Sequence, residues 1–233
     1  MSYFNELNQA VGEPLPDWKP RPLPQRVMLR GRTCCLEPLS LDHAEALYAA
    51  YQLFSDDGHW TWLPREPDKT IEEYKRWVAS VITLNDPLLF AIIDNKSNQP
   101  VGTFSLMHID PENGTIEVGH VHYSPLLEKT IMATEAQWLL MNYAFETLGY
   151  RRYEWKCNSC NEPSRKAALR LGFQYEGRFR QAAVVKGHNR DTDWFSIIDK
   201  EWPAINQAFQ HWLSPDNFDQ DGKQKQSLQA CRM

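Results

Sequence analysis

The chain has 233 residues, 42% of them hydrophobic and 12% aromatic, enough for one well-packed domain and short for two. Its nine tryptophans exclude wholesale disorder, and a formal net charge of -5 argues against a nucleic-acid binder, which needs a basic face. Met1 to Glu13 has neither a basic start nor an apolar run, and no stretch reaches the roughly 18 apolar residues of a membrane helix, so the expectation is a cytoplasmic protein with no nucleic-acid and no membrane partner.

Residues 1–24 carry Pro14, Pro16, Pro20, Pro22 and Pro24 with little periodicity, and read as an extended arm lying on the domain surface. Residues 25–213 read as a single domain. Residues 214–233 are polar with isolated apolar positions, and read as a disordered tail. Five cysteines without a repeating spacing do not make a disulfide framework.

Within the domain, Val27 to Leu36 reads as a strand and Leu41 to Phe54 as a helix with Ser40 as N-cap. Thr70-Ile-Glu-Glu73 has capping-box spacing and opens a helix through Val81. Leu88 to Asp94 is a buried-type strand. Val101 to Ile109 and Thr115 to Tyr123 follow, joined by a turn at Pro111 to Gly114. A helix from Ala133 to Leu148 is closed by Gly149. Then come a strand, Arg152 to Cys157, a helix, Glu162 to Leu171, a hairpin of Phe179 to Val185 and Asp191 to Ile198, and a last helix near Pro203. That order predicts an α+β (α/β) fold, a mixed sheet covered by helices.

Several short runs bear on chemistry. Asn161 is placed to cap a helix, with Ser164 three residues on and sharing its face. In Thr115 to Tyr123, strict alternation puts Ile116, Val118, His120 and His122 on one face, and Glu117, Gly119, Val121 and Tyr123 on the other. Gly119 suits a bulge or a close approach. His120, His122 and Glu117 are candidate bases, with the histidines favoured by their ordinary pKa of about 6.5. Each histidine also fits a core or solvent-facing position.

Taken together, Ala133-Thr-Glu-Ala136, Asn161-Glu-Pro-Ser164-Arg165, Leu171-Gly172-Phe173 and Glu176-Gly177-Arg178-Phe-Arg180 resemble, in order and spacing, the GNAT superfamily. The similarity is to its ribosomal-protein N-acetyltransferase (RimJ/RimL-like) branch, over roughly Leu29 to Leu213. The resemblance implies a mixed, mostly antiparallel sheet of about six to seven strands, splayed in the middle. It implies an acetyl-CoA-dependent N-acetyltransferase that moves an acetyl group by direct transfer to a primary amine, on a protein N-terminus or a small molecule. Acetyl-CoA is the implied cofactor and no metal is needed.

Carried onto this sequence, the resemblance makes Ser124 to Thr134 the pyrophosphate turn, with Lys129, Thr130, Ile131, Met132, Ala133 and Thr134 as cofactor-binding candidates. The physical basis is the unpaired amides and dipole of a helix N-terminus. Glu128 and Ile131 stand where Arg or Gln and Gly are usual. Because a branched residue disfavours positive φ, the turn is expected to keep ordinary dihedrals, with Lys129 and Thr130 offering side-chain donors. Asn161 would hold the pantetheine arm, and Val121 and Tyr123 would offer backbone groups beside it. Arg165, Arg178 and Arg180 fit contacts to the 3′-phosphate or to an acidic acceptor, and equally fit solvated surface positions. Many members place a tyrosine acid where this chain has Ala168, which leaves Ser164 to donate to the departing sulfur. Trp60, Trp62 and Leu63 fall in the region that borders the acceptor cleft in the family, and fit either that cleft or core packing.

Two other readings stand beside this one. The altered turn and the missing tyrosine fit a non-catalytic acyl-CoA-binding module. Cys157-Asn-Ser-Cys160 has redox-motif spacing, or makes half a zinc site with Cys34 and Cys35. The acceptor and the oligomeric state stay open, a homodimer being one option.

Overall fold

The computed structural model describes residues 3–232. In chain order the strands are β1 (Tyr3–Phe4), β2 (Ala10–Val11), β3 (Leu29–Arg30), β4 (Cys34–Pro38), β5 (Leu88–Asp94), β6 (Gln99–Asp110), β7 (Thr115–Tyr123), β8 (Arg152–Asn158), β9 (Gln174–Val185) and β10 (His188–Ile198). The helices are α1 (Ala44–Tyr51), α2 (Ile71–Val81), α3 (Ile131–Asn142), α4 (Glu162–Leu171) and α5 (Trp202–Leu213). β1 and β2 form a small ladder of their own, and the other eight strands make one sheet in the order β3-β4-β5-β6-β7-β8-β10-β9. Every neighbouring pair in that sheet is antiparallel except β7 and β8. The mixed sheet is therefore as expected, with eight strands rather than six or seven.

The apolar run of β5 shows why both faces are covered. Leu88, Phe90 and Ile92 enter one core cluster, and Leu89, Ala91 and Ile93 enter another. A strand buried on both sides reads as continuous hydrophobicity instead of alternation. The first cluster lies beneath α3, α4 and α5, and the second beneath α1 and α2. Thr70 caps α2 by accepting from the Glu73 amide at 3.2 Å, as its spacing predicted. Among the described residues no helix is long and apolar enough to cross a membrane.

Two elements differ from the expectation for identifiable reasons. The strand read as Val27 to Leu36 is broken between Arg30 and Cys34, because the turn there wraps a buried carboxylate. Glu135 of α3 accepts from the amides of Arg32 at 2.8 Å and Thr33 at 2.6 Å. The helix read from Ala133 starts earlier, at Ile131, because the Thr130 hydroxyl caps it. It then passes into a π-helical turn over Tyr143–Thr147.

Both chain ends lie against the domain. In the arm, Trp18 packs on Gly114, where a Cβ would sit 2.4 Å from the indole, and its Nε1 donates to the Glu112 carbonyl at 2.8 Å. The segment after Leu213, read as a disordered tail, is instead folded onto α5. Asn217 Nδ2 donates to the carbonyls of Trp212 and Gln226, and Trp212 Nε1 donates to Gln224 at 2.8 Å. Leu228 is 1% exposed within the larger core cluster. A few well-placed apolar side chains anchor a segment whose average composition is polar. Leu228→Ala is therefore expected to lower unfolding free energy by about 2–4 kcal/mol in denaturant titration, whereas an unstructured tail would give no change.

Candidate functional site

The site begins with an interruption in β7. Opposite β6, Ser105 pairs with Gly119 and Thr103 pairs with His122. One residue of β6 therefore faces two of β7, His120 and Val121, and His120 takes a φ of +49°. Such a bulge bends a strand and increases its twist. On its other side β7 pairs with β8 only as far as Val118 and Trp155. Beyond that point the two strands part, and the backbone of Gly119–Tyr123 has no ladder partner on that side.

The bulge also resets which side chains share a face. Val121 and Tyr123 pack with Ile116 and Val118 against the cluster beneath α3. His120 and His122 go to the opposite face, where Glu117 also lies. The strict alternation expected for this strand is thus corrected: Glu117, His120 and His122 are together. Gly119 is not the bulged residue, although a Cβ there would lie 2.2 Å from Met107 Sδ.

Two cavities flank the parted strands and meet at Trp155. The outer one, about 750 Å3, is lined by Tyr123, Lys129, Thr130, Ile131, Ala133, Thr134 and Arg170 among others. At its base is the N-terminus of α3. Lys129 carries the positive φ, +60°, so Ile131 is the first helical residue and the expectation of ordinary dihedrals throughout the turn is corrected. Thr130 Oγ1 accepts from the Ala133 amide at 3.1 Å and donates to the Leu127 carbonyl at 2.7 Å, which removes it as a side-chain donor. The Ile131 and Met132 amides keep no hydrogen-bond partner among the described residues. Arg170, in the last turn of α4, donates to Thr134 Oγ1 at 3.0 Å and brings a cation into this cavity. Phe218, Gly222 and Gln224 of the C-terminal segment complete the wall. The Met132 side chain packs on the core. Arg165 lines neither cavity and pairs with the fully buried Asp193 at 2.8 Å.

At the start of α4, Asn161 Oδ1 accepts from the Ser164 amide at 3.1 Å. Trp155 Nε1 donates to Ser164 Oγ at 3.0 Å, which leaves the serine's own proton to be donated elsewhere. Both residues line the inner cavity, about 690 Å3, with Glu117, Gly119, His120 and Val121. Here Glu117 Oε2 accepts from Lys156 Nζ and from His108 Nδ1, each at 2.7 Å, and Lys156 also pairs with Glu154 at 2.9 Å. His120 Nδ1 lies 3.0 Å from Ser105 Oγ. Burial holds the His120 imidazole below its ordinary pKa of 6.5, against the opposing pull of Glu117. It is neutral near pH 7.

Lys156, Trp155 and Arg170 were not among the residues singled out in the sequence. Alternation along β8 was the available signal for Lys156, since it puts Glu154 and Lys156 on the face opposite Trp155. The redox motif loses its chemical basis: Cys157 is buried, and burial pushes its thiol pKa up, the reverse of a reactive thiolate. Among the described residues no three candidate metal ligands converge.

His122 is the most buried of the three candidate bases after Glu117. Burial, then the neighbouring His59 and Arg65, push its pKa down to about 3 from 6.5. Between these values the unfolded chain binds a proton that the folded chain refuses. Stability is therefore unaffected above about pH 6.5 and falls below it, by up to about 1.4 kcal/mol per pH unit. Denaturation midpoints measured from pH 7.5 to 4.5 should show this slope, and His122→Phe should make it shallower, leaving the part due to His120 and His59, which burial also holds below 6.5.

The family model described as "Acetyltransferase (GNAT) domain" matches residues 34–174, more than half of the chain. A solved GCN5-related N-acetyltransferase from Brucella melitensis superposes with a TM-score of 0.92 at 49% identity, covering 94% of this chain and 99% of that one. An uncharacterized N-acetyltransferase, p20, from Bacillus licheniformis is 34% identical over 48% of this chain; the match spans 63% of that relative's length. A putative ribosomal N-acetyltransferase, YdaF, from Bacillus subtilis (strain 168) is 28% identical over 62% of this chain and 79% of the relative.

Proposed function

We propose that this chain, which belongs to the GNAT acetyltransferase family, is an acetyl-CoA-dependent enzyme that acetylates a primary amine, on a protein N-terminus or a small molecule. The observation that carries this reading is the parting of β7 from β8 beside the N-termini of α3 and α4. It supplies a gap with unpaired backbone groups, two cavities joined at Trp155, and donors at either end.

The residues fit the cofactor. The free Ile131 and Met132 amides and the positive end of α3 suit a pyrophosphate. Lys129 and Arg170 add positive charge, which outweighs the single Glu128 carboxylate in the same cavity. Thr130, Ala133 and Thr134 shape that turn, while Val121 and Tyr123 present backbone edge to the gap. Gln137 Oε1, buried without a partner at the cavity wall, is an acceptor awaiting a donor. Asn161 has its Oδ1 in the cap and its Nδ2 left to donate. Acetyl-CoA, when bound, supplies the acyl thioester and carries away the sulfur as a thiolate.

The chain's own groups then divide the proton work. His120, neutral and anchored through Nδ1 on Ser105, offers Nε2 to take the amine proton. Glu117 is held by Lys156 and His108, so it fixes the electrostatics of the acceptor cavity while His120 acts as base. The Ser164 hydroxyl, oriented by Trp155, holds a proton for the leaving sulfur, and the α4 dipole adds to its effect. Use of acetyl-CoA fits a cytoplasmic setting.

Titration calorimetry with acetyl-CoA should show saturable binding, and a panel of primary amines should release free CoA thiol. His120→Ala and Ser164→Ala should each lower kcat roughly 10²-fold with acetyl-CoA Kd changed by less than about 3-fold. Arg170→Ala should raise that Kd about 10-fold. No affinity for acetyl-CoA would overturn the reading.

A further inference from the structure

Beside the inner cavity lies a smaller chamber of about 240 Å3, and His120 lines both. Trp60, Trp77, Leu63 and Leu89 give it apolar walls. No carboxylate lines it, and its one fixed charge is Arg65. That guanidinium pairs with Asp68 at 2.5 Å and lies over the Trp77 ring at 4.2 Å. His122 forms part of the wall. Its ring stacks on Tyr51 at 3.7 Å and meets the Trp60 edge at 4.6 Å. The residue is 9% exposed, and its Nε2 is buried with no hydrogen-bond partner among the described residues.

These features select a ligand group. The volume is below the roughly 300 Å3 at which ordinary ligand pockets begin, so it takes one side-chain-sized group. An ammonium placed here would be desolvated among apolar walls, because the nearby Asp68 carboxylate is already engaged by Arg65 and does not line the chamber. An unpaired buried nitrogen is a standing penalty that a polar atom on the ligand would relieve. A hydroxyl both donates and accepts, so it satisfies Nε2 in either tautomer.

We propose that this chamber is a specificity pocket for an uncharged aromatic or apolar group ending in a hydroxyl, carried by the acceptor whose amine nitrogen meets His120. The proposal rests on the amine-acetylating reading above and narrows its acceptor class. It turns away polyamines and lysine-like chains, whose second ammonium has no partner here.

The test compares tyramine, phenethylamine and cadaverine. Tryptophan fluorescence, reporting through Trp60 and Trp77, measures their binding without acetyl-CoA. Thiol release measures kcat/KM with it. Tyramine should exceed phenethylamine by roughly 3- to 10-fold in both, and cadaverine should trail both. His122→Phe, which keeps the stacked ring and removes the orphan nitrogen, should bring the tyramine-to-phenethylamine ratio to about 1. Equal values for tyramine and phenethylamine in the unaltered protein, or a preference for cadaverine, would overturn the pocket whatever the variant does. Selective tyramine binding in a protein with no affinity for acetyl-CoA would support the pocket and remove the transferase reading instead.

Discussion

One surplus residue in β7 governs the rest of the molecule's chemistry. Because His120 and Val121 together oppose a single residue of β6, the strand bends away from β8 and its later peptide groups lose their ladder. The same insertion reverses the parity of the side chains that follow. Without it, His120 would lie in the apolar layer under α3, where a neutral imidazole would have no reactant to meet. With it, Glu117, His120 and His122 line one wall, and Val121 and Tyr123 complete the core on the other.

The two cavities on either side of Trp155 are electrostatically different. The outer one offers backbone dipoles and two cations, Lys129 and Arg170, around the start of α3, with Glu128 beside them. The inner one holds a cluster in which Glu117 and Glu154 share Lys156, and His108 adds a further donor to Glu117. Lys156 also lies 3.9 Å from the Trp194 ring centre. The Glu117 carboxylate there pulls the His120 pKa upward against burial, so a proton arriving on His120 would be stabilised by it.

The sequence displayed the elements well where a single rule decides them. The apolar run of β5, the Thr70 cap and the Gly172 terminus of α4 needed only local chemistry, and the spacing of Asn161, Ser164 and the Leu171-Gly172-Phe173 run was enough to place the family. What local rules could not display was tertiary. The parity switch at His120 depends on the register between β6 and β7, which alternation within one strand does not encode. The positive φ falls on Lys129, two residues ahead of Ile131, so a residue that looked obstructive became an ordinary first helical position. The turn at Arg32 and Thr33 was hidden because its partner, Glu135, lies about 100 residues away in the chain. Arg170 sits on α4 with no local mark to set it apart from a solvated arginine.

The family match closes at Gln174, at the first residue of β9, yet part of the outer cavity's wall comes from Phe218, Gly222 and Gln224. The region that defines kinship and the region that finishes the cavity are thus separate stretches of polypeptide. A change confined to the C-terminal segment would therefore reshape the rim of that cavity while leaving the parted strands untouched.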